Sequence, residues 1–353
     1  MQKVGRDAVE VDPISDPSWH RLAARASVFH SPNWINVLRQ TYGFKPKAII
    51  LLDAEGIPGA GLAYCMVEDP LFGRRISSLP FSDYCDPIAS TREDWEMLLH
   101  ALSLHDCPVS FRCLRNDMVK RDGRLETIKT AKWHGLSLAG TSESLWAVIR
   151  DSTRRAVERA RRGGLSVQVE TSREALSDFF NMHLGVRKRK YRLLAQPRLF
   201  FENISGQFFS ERKGFILMAR DGATPVAGAL FLVWNGTIYY KFNASDPKYL
   251  GLRPNDLLVW EGMLLGKRLG CRSWDFGLSD VGQEGLVRFK RHFGSVEREI
   301  RFLRYEPRSD PIAKENEQHV KQLLGEVTQL FTEPTVPDEV TERAGNLLYR
   351  FFA

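Results

Sequence analysis

The feature that most constrains the fold of this chain is an order of elements that occurs twice. In the first half, helical runs such as SPNWINVLRQTYG precede the β-rich runs KAIILLD, GAGLAYCMVE and RRISSLP. The helical run TREDWEMLLHALSLH and a further strand, PVSFRCLR, complete that half. Alternation of helices with strands is typical of α/β domains. A chain of 353 residues is long for one core, so the sequence predicts two domains.

The second half repeats this order. Helical runs around LSVQVE precede the strands GFILMAR, PVAGALFLVW and TIYYKFNA, which are followed by the helix NDLLVWEGMLLGKRLG and the strand RSWDFG. We therefore predict an α/β (α+β) fold of two similar domains, residues 1–140 and 141–306, with mixed sheets flanked by helices. The amphipathic run IAKENEQHVKQLLGEVTQLF predicts a helical tail over residues 307–353.

Composition narrows the function classes. The net charge of +7 favours anionic partners. The five cysteines form no CxxC and the eight histidines form no HxH or HExxH, so we expect no metal site. Phosphate-loop, dinucleotide-binding and nucleophile-elbow motifs are also missing from the sequence. With no apolar run long enough for a leader or a membrane span, we expect a cytoplasmic protein that can touch the inner membrane face only peripherally.

The decapeptide GLVRFKRHFG, residues 285–294, carries the sharpest candidate. On a helical wheel Leu286, Phe289 and Phe293 share a narrow apolar arc, and Lys290 lies at its edge while Arg288 and Arg291 point away. Lys290 is therefore the inward cation. A snorkelling lysine explains this placement, and so does an ammonium at a cleft that stabilises developing negative charge.

Two carboxylates are candidates for proton transfer. Asp275 lies near the carboxyl end of the strand RSWDFG, where side chains often belong to a site, although it can equally cap the next turn. Asp83 lies in the loop LPFSDYCDP, and loops carry many sites, although exposed loop aspartates are common.

Cations and polar residues of the second half supply substrate-binding candidates. RRAVERARR and RKRKYR are basic clusters that suit either solvated helix faces or a grip on phosphates. The segment YYKFNASDPKYLGLRPND joins a strand to a helix, and turn chemistry accounts for Pro254, Asn255 and Asp256. We predict substrate binding by six residues: Arg154, Arg155, Tyr240, Ser245, Arg253 and Arg288.

TRRAVERARRGGLSV, YYKFNASDP with RPNDLLVWEGM, and above all WDFGLSD with GLVRFKRHFG resemble the FemABX-like proteins, which are tandem members of the acetyltransferase (GNAT) superfold. The resemblance runs over residues 15 to 305 and implies two tandem GNAT-like domains. It also implies that the family's Phe-Lys pair is Phe289 and Lys290, with the lysine stabilising the oxyanion of a tetrahedral intermediate.

The resemblance implies an N-acyltransferase that acts on an amine of a cell-envelope, polysaccharide or peptide precursor. The expected co-substrate is aminoacyl-tRNA, narrowly preferred, or acyl-CoA, with no tightly bound cofactor. Two alternatives stay open. One is an acyl-CoA-dependent N-acetyltransferase. The other is a non-catalytic protein that binds an anionic envelope precursor, which a buried, uncharged cleft without room beside Lys290 would favour.

Overall fold

The structure is a computed structural model that describes residues 6–308 and 311–353. The first five residues of the predicted first domain and residues 309–310 of the predicted tail lie outside the described residues. The chain forms two compact units. Unit 1 comprises Met1–Lys132, Arg298–Leu323 and Arg350–Ala353, and unit 2 comprises Trp133–Glu297 and Leu324–Tyr349. Parts of the predicted tail therefore belong to each unit.

Unit 1 has a mixed sheet with helices around it. Its strands are β1 (Asp7–Val11), β2 (Lys45–Leu52), β3 (Pro58–Asp69), β4 (Gly73–Ser77) and β5 (Val109–Cys113), together with the first part of β6 (Leu125–Ser137) and most of β12 (Val296–Tyr305). Its helices are α1 (Pro17–Ala23), α2 (Pro32–Tyr42), α3 (Arg92–Ser103), α4 (Asp117–Lys120) and the first part of α11 (Pro311–Phe331).

The sheet of unit 1 is an antiparallel meander closed by a parallel pair. Strands β1 to β4 pair antiparallel in chain order, and β5 pairs parallel to β4 after the crossover helix α3. On the other edge of β5, residues 301–305 of β12 pair antiparallel. Unit 1 thus includes the strand that the predicted boundaries assign to the second domain.

Unit 2 has strands and helices of its own. Its strands are β7 (Ser166–Glu170), β8 (Gly214–Asp221), β9 (Thr224–Trp234), β10 (Thr237–Ser245) and β11 (Ser273–Asp280), beside the second part of β6. Its helices are α5 (Ser142–Val148), α6 (Asp151–Arg162), α7 (Arg173–Gly185), α8 (Arg198–Ile204), α9 (Pro254–Arg268), α10 (Glu284–Arg291), the end of α11 and α12 (Asp338–Leu348).

The strands of unit 2 repeat the pairing pattern of the strands of unit 1. Strands β7 to β10 form an antiparallel meander, and β11 pairs parallel to β10 after the crossover helix α9. Helix α9 packs its apolar residues, including Leu258 and Met263, against Phe231 and Trp274 of the sheet in one buried cluster. The predicted α/β fold with mixed sheets and flanking helices is confirmed.

Local sequence accounts for the start of helix α2. The hydroxyl of Ser31 accepts the backbone N–H of Trp34 at 3.1 Å and caps α2, whose first residue is Pro32. All five cysteines are buried and unbridged. Among the described residues, no helix combines the length and the hydropathy needed to cross a bilayer.

Candidate active site

The candidate site of unit 2 forms where two parallel strands part. In the described part of the chain, the pairing of β10 with β11 begins at Thr237 with Ser273 and ends at Tyr239 with Asp275. Both strands continue beyond that last pair. The register of β10 with β9 also shifts between Tyr240 and Phe242, which marks a β-bulge. Bulges bend a strand and turn its side chains, and they occur often beside active sites.

A cavity of about 780 Å³ occupies this place. Tyr240, Phe242 and Asn243 of β10 line it, and Phe276 and Leu278 of β11 face them. Further walls come from residues of α10 and from the segment after α7: Leu286, Phe289, Lys290, Val186, Arg187, Lys190 and Tyr191. The walls combine aromatic rings with a few polar groups, which is typical of sites for small molecules.

Lys290 is a buried cation at this cavity. The residue is only 2% exposed, which confirms that it points inward. Its ammonium donates to the carbonyl oxygens of Gly277 at 3.1 Å and Leu278 at 3.0 Å, on the part of β11 that lies beyond the paired residues. These bonds compensate a buried charge that would otherwise be costly. The catalytic role of Lys290 stays a prediction.

The rest of helix α10 departs in part from the wheel. Val287 and Phe293 are fully buried, whereas Leu286 and Phe289 are half-buried and line the cavity. Arg288 and Arg291 are exposed. The apolar arc of the wheel therefore divides between the core and the cavity, and Phe289 lies beside Lys290 at the cavity wall.

Asp275 is held in hydrogen bonds within the sheet. One carboxylate oxygen accepts the backbone N–H of Gly277 at 2.6 Å, and the other accepts the indole N–H of Trp133 at 2.9 Å. Gly277 has a φ of +66°, a conformation that a residue with a side chain rarely adopts. Asp275 thus fixes the backbone that presents a carbonyl oxygen to Lys290, and it is not among the residues that line the cavity.

His134 and Glu297 belong to the surroundings of Lys290, and sequence reasoning missed both. His134 is fully buried, and its Nε2 lies 3.1 Å from Glu297, which also accepts from Arg291. Burial and then the charge of Lys290 lower the pKa of His134 to about 4. The imidazole is therefore neutral at pH 7.

A second pocket, of about 380 Å³, lies on the other side of Phe289 and Gly285, which line both spaces. Its walls carry four arginines, namely Arg155, Arg159, Arg253 and Arg288. We call it the basic pocket. Arg253 precedes α9 with a φ of +61°, and strained backbone of this kind clusters at functional sites. The arrangement suits phosphate oxygens.

Asp256 also lines the basic pocket, where sequence reasoning assigned it only a turn. Burial raises its pKa to about 6, although the neighbouring Arg253 opposes the shift. The pocket therefore contains a carboxyl group that changes charge close to neutral pH.

Three other predicted binding residues have separate surroundings. Tyr240 lines the cavity, and burial raises the pKa of its phenol, which stays neutral. Ser245 lines an adjoining space of about 730 Å³ and accepts from the amide of Asn255 at 3.3 Å. Arg154 forms an ion pair with Asp151 on α6 and is not among the residues that line these spaces.

The basic run RKRKYR divides between two tasks. Arg187, Lys190 and Tyr191 line the cavity. Lys188 and Arg192 bond instead to residues of the C-terminal tail. Part of this cluster therefore serves the fold of unit 2.

Asp83 belongs to unit 1. It is half-buried in a loop whose residues Leu79 and Phe81 have φ values of 57° and 58°. The loop is anchored by Ser82, whose hydroxyl accepts from the indole of Trp34 at 2.8 Å. The role of Asp83 as a proton acceptor stays a prediction.

The described residues contain no group of three or more His, Cys, Asp or Glu side chains suited to a metal ion. A cleft without room beside Lys290 would favour a non-catalytic binder, and Lys290 instead lines a cavity of about 780 Å³.

Comparisons with known proteins agree with this geometry. Residues 147–291, from α5 to the end of α10, match the family described as acetyltransferase (GNAT) domain. The chain contains a GNAT acetyltransferase domain. It is therefore an acyltransferase. A comparison with curated proteins finds no match.

Solved structures with the same fold share little sequence with this GNAT protein. The structure of FemX superimposes with a TM-score of 0.68 at 12% identity, over 90% of this chain and 100% of FemX. The C-terminal domain of a putative lysylphosphatidylglycerol synthetase from Agrobacterium fabrum gives 0.55 at 14%, over 88% and 96%. A tandem GNAT protein from the clavulanic acid biosynthesis pathway gives 0.55 at 11%, over 87% and 100%. The chain thus has a FemABX-like fold.

Proposed function

We propose that the protein is an N-acyltransferase that moves an activated acyl or aminoacyl group to an amine of a cell-envelope precursor, in the cytoplasm. One observation carries the proposal. The buried ammonium of Lys290 lies on the wall of a cavity of about 780 Å³ at the point where β10 and β11 part.

The proposed reaction begins when the amine attacks the carbonyl carbon of an ester or thioester. The carbonyl oxygen then gains negative charge, and the ammonium of Lys290 stabilises it. Its bonds to Gly277 and Leu278 hold the ammonium in place before the substrate arrives. Collapse of the intermediate forms the amide, and the alcohol or thiol leaves with a proton.

The basic pocket supports an anionic donor. Because Phe289 and Gly285 line both spaces, phosphates bound by Arg155, Arg253 and Arg288 would place an attached acyl group near the cavity. Aminoacyl-tRNA carries a phosphate on the same nucleotide as its ester carbonyl, whereas the pantetheine arm of acyl-CoA separates its phosphates from the thioester. We keep aminoacyl-tRNA as the narrowly preferred donor, and the match to an acetyltransferase family supports acyl-CoA as the alternative.

The acceptor assignment rests on the neighbours. The name of the Agrobacterium fabrum protein refers to phosphatidylglycerol, a membrane phospholipid, and FemX has the same fold. An amine-bearing envelope precursor, met at the inner membrane face by peripheral contact, is consistent with both. We propose Asp275 as the residue that positions the backbone under Lys290, and the role of Asp83 of unit 1 stays a prediction from the sequence.

The test supplies two labelled donors, aminoacyl-tRNA and acetyl-CoA, to the purified protein with an extract of small-molecule precursors. We expect label in an amide product, and ribonuclease abolishes the reaction only if tRNA is the donor. Lys290→Met should slow it by roughly a hundredfold to a thousandfold with either donor. Lys267→Met is the matched control, because Lys267 also donates to two backbone carbonyls, of Leu138 and Gly140, away from the cavity. Absence of transfer from both donors would refute the proposal.

A further inference from the structure

The wall of the cavity includes a segment with unusual backbone. After α7 the chain continues as a π-helix over Val186–Lys190 and turns at Arg192, whose φ is +55°. Val186, Arg187, Lys190 and Tyr191 of this segment line the cavity. We call residues 186–192 the wall segment. Single π-helical turns occur often at functional sites, where they change the direction of side chains.

The remaining cations of the wall segment bind the C-terminal tail. Lys188 is 2% exposed, and its ammonium donates to the carbonyl oxygen of Val336 and, at 2.8 Å, to a carboxylate oxygen of Asp338. The guanidinium of Arg189 donates to the other oxygen of Asp338 at 2.6 Å. One carboxylate at the start of α12 therefore binds two successive residues of the wall segment.

The electrostatics of Asp338 agree with this arrangement. Burial alone would raise its pKa, but the hydrogen bonds from Lys188 and Arg189 hold the pKa below the ordinary value. The carboxylate therefore stays charged at neutral pH. A buried ammonium such as that of Lys188 needs this charge, because a buried ion that loses its partner is strongly destabilised.

Other contacts attach the end of the wall segment to the same tail. The guanidinium of Arg192 donates to the carbonyl oxygen of Thr332 at 2.6 Å. Gly345 of α12 packs so closely on Ala195 that a Cβ at this glycine would lie 2.5 Å from the carbonyl oxygen of Ala195. The tail thus contacts the wall segment and the residues just after it, and none of its described residues is among those that line the cavity.

We infer that Asp338 is a positioning residue, which acts through Lys188 and Arg189 to hold the cavity wall in the shape that receives substrate. The inference rests on the proposed function, since it assigns the acceptor or donor to that cavity. Asp338 does not itself line the cavity, and its effect passes through the backbone of the wall segment. A purely structural tail would instead lower stability without changing the affinity for substrate.

The first experiment needs no ligand. Trypsin cuts after lysine and arginine, and the wall segment offers five such sites at residues 187–190 and 192. Below the unfolding temperature, Asp338→Asn should be cut in this segment at least about tenfold faster than the unchanged protein, because local opening becomes easier. Glu342→Gln is the matched control: Glu342 is on the same helix and pairs with Arg198 at 3.1 Å, outside the wall segment.

The second experiment measures transfer with the donor identified above. Asp338→Asn should raise the KM for a substrate about tenfold while kcat changes less than about threefold, the pattern of lost ground-state binding. The double variant Lys188→Met with Asp338→Leu removes both charges and should restore protection from trypsin and the KM. If Asp338→Asn behaves like Glu342→Gln in both assays, or loses stability with an unchanged KM, the inference is wrong. A failure of the proposed function would appear separately, as no transfer by the unchanged protein.

Discussion

The ammonium nitrogen of Lys290 lies 3.0 Å from the carbonyl oxygen of Leu278, on the strand that borders the cavity. A lysine that only snorkels directs its ammonium into water. Here the ammonium is buried against backbone oxygens, which holds a positive charge at a fixed place beside Phe289.

Replacement of Lys290 by Met should lower kcat by roughly a hundredfold to a thousandfold, since one donor to an oxyanion contributes about 3 to 4 kcal/mol. Single-turnover transfer of label from the donor measures the effect. Lys267→Met should leave the rate nearly unchanged. Similar rates for the two variants, with both proteins folded, would mean that Lys290 serves only the structure of β11.

Charge reversal at Arg155 and Arg159 tests the basic pocket. If both arginines bind donor phosphates, each change to Glu should raise the donor KM by roughly tenfold or more, because hydrogen bonds to charged groups are among the stronger ones. The dependence of donor affinity on salt should become shallower. Arg162→Glu, on the same helix but outside the pocket lining, is the control. Unchanged affinity in all three variants would make α6 a solvated face.

Periodicity in the sequence was sufficient to orient Lys290 and to predict the repeated order of strands and helices. These features depend on residues close together in the chain, whose spacing determines a helix face or a strand. His134 and Glu297 approach Lys290 only because separate strands meet in unit 2, and no local pattern in the sequence indicates that meeting.

The parting of β10 and β11 is equally absent from the sequence pattern. TIYYKFNA and SWDFGLSD read as two ordinary buried strands, and nothing in their alternation shows that pairing stops at Tyr239 and Asp275. The local sequence of Asp256 indicates only a turn. The raised pKa of its carboxyl group depends on burial by residues that are distant in the chain, and no local pattern shows that burial. The sequence does not predict the bonds between the tail and Lys188 either, because a run of basic residues does not show which of its cations is buried.

Asp83→Asn and Asp275→Asn should have different effects. The carboxylate of Asp275 accepts from Gly277 and Trp133, so an amide loses one of these bonds and should lower the free energy of unfolding by about 1 to 3 kcal/mol. If Asp83 is the proton acceptor, Asp83→Asn should lower kcat by about a hundredfold or more, as loss of a general base does. Urea unfolding and kcat are measured for both variants. If Asp275→Asn lowered kcat at unchanged stability and Asp83→Asn lowered only stability, the roles of the two carboxylates would be exchanged.

The basic pocket should bind anions less well as pH rises. Asp256, with a pKa of about 6, becomes negative above that pH and repels an anion held by the arginines. His292, whose pKa burial lowers, also lines the pocket and loses positive charge in the same direction. Sulfate is the suitable probe because its charge is constant from pH 5 to pH 8. We expect its affinity, measured by calorimetry, to fall about threefold to tenfold over that range.

Asp256→Asn is the corresponding variant for that measurement. It should bind sulfate more tightly at pH 7.5 and retain only the smaller dependence that His292 supplies. If the variant and the unchanged protein had the same pH profile, the charge of Asp256 would not influence anion binding in the pocket.

His183 should make the protein sensitive to acid. The ring is buried in unit 2, and burial, followed by the charge of Arg187, lowers its pKa to about 3, although the bond to Gln196 opposes the shift. The pKa of a histidine in the unfolded chain is about 6.5. Between about pH 3 and about pH 6.5 the unfolded chain therefore binds more protons than the folded protein. The free energy of unfolding should therefore fall as pH drops below about 6.5. His183→Gln should reduce that loss by about 1 to 3 kcal/mol between pH 6.5 and 4.5. Urea unfolding at each pH measures it, with exposed His100→Gln as the control. Equal slopes for all three proteins would show that His183 does not cause the acid sensitivity.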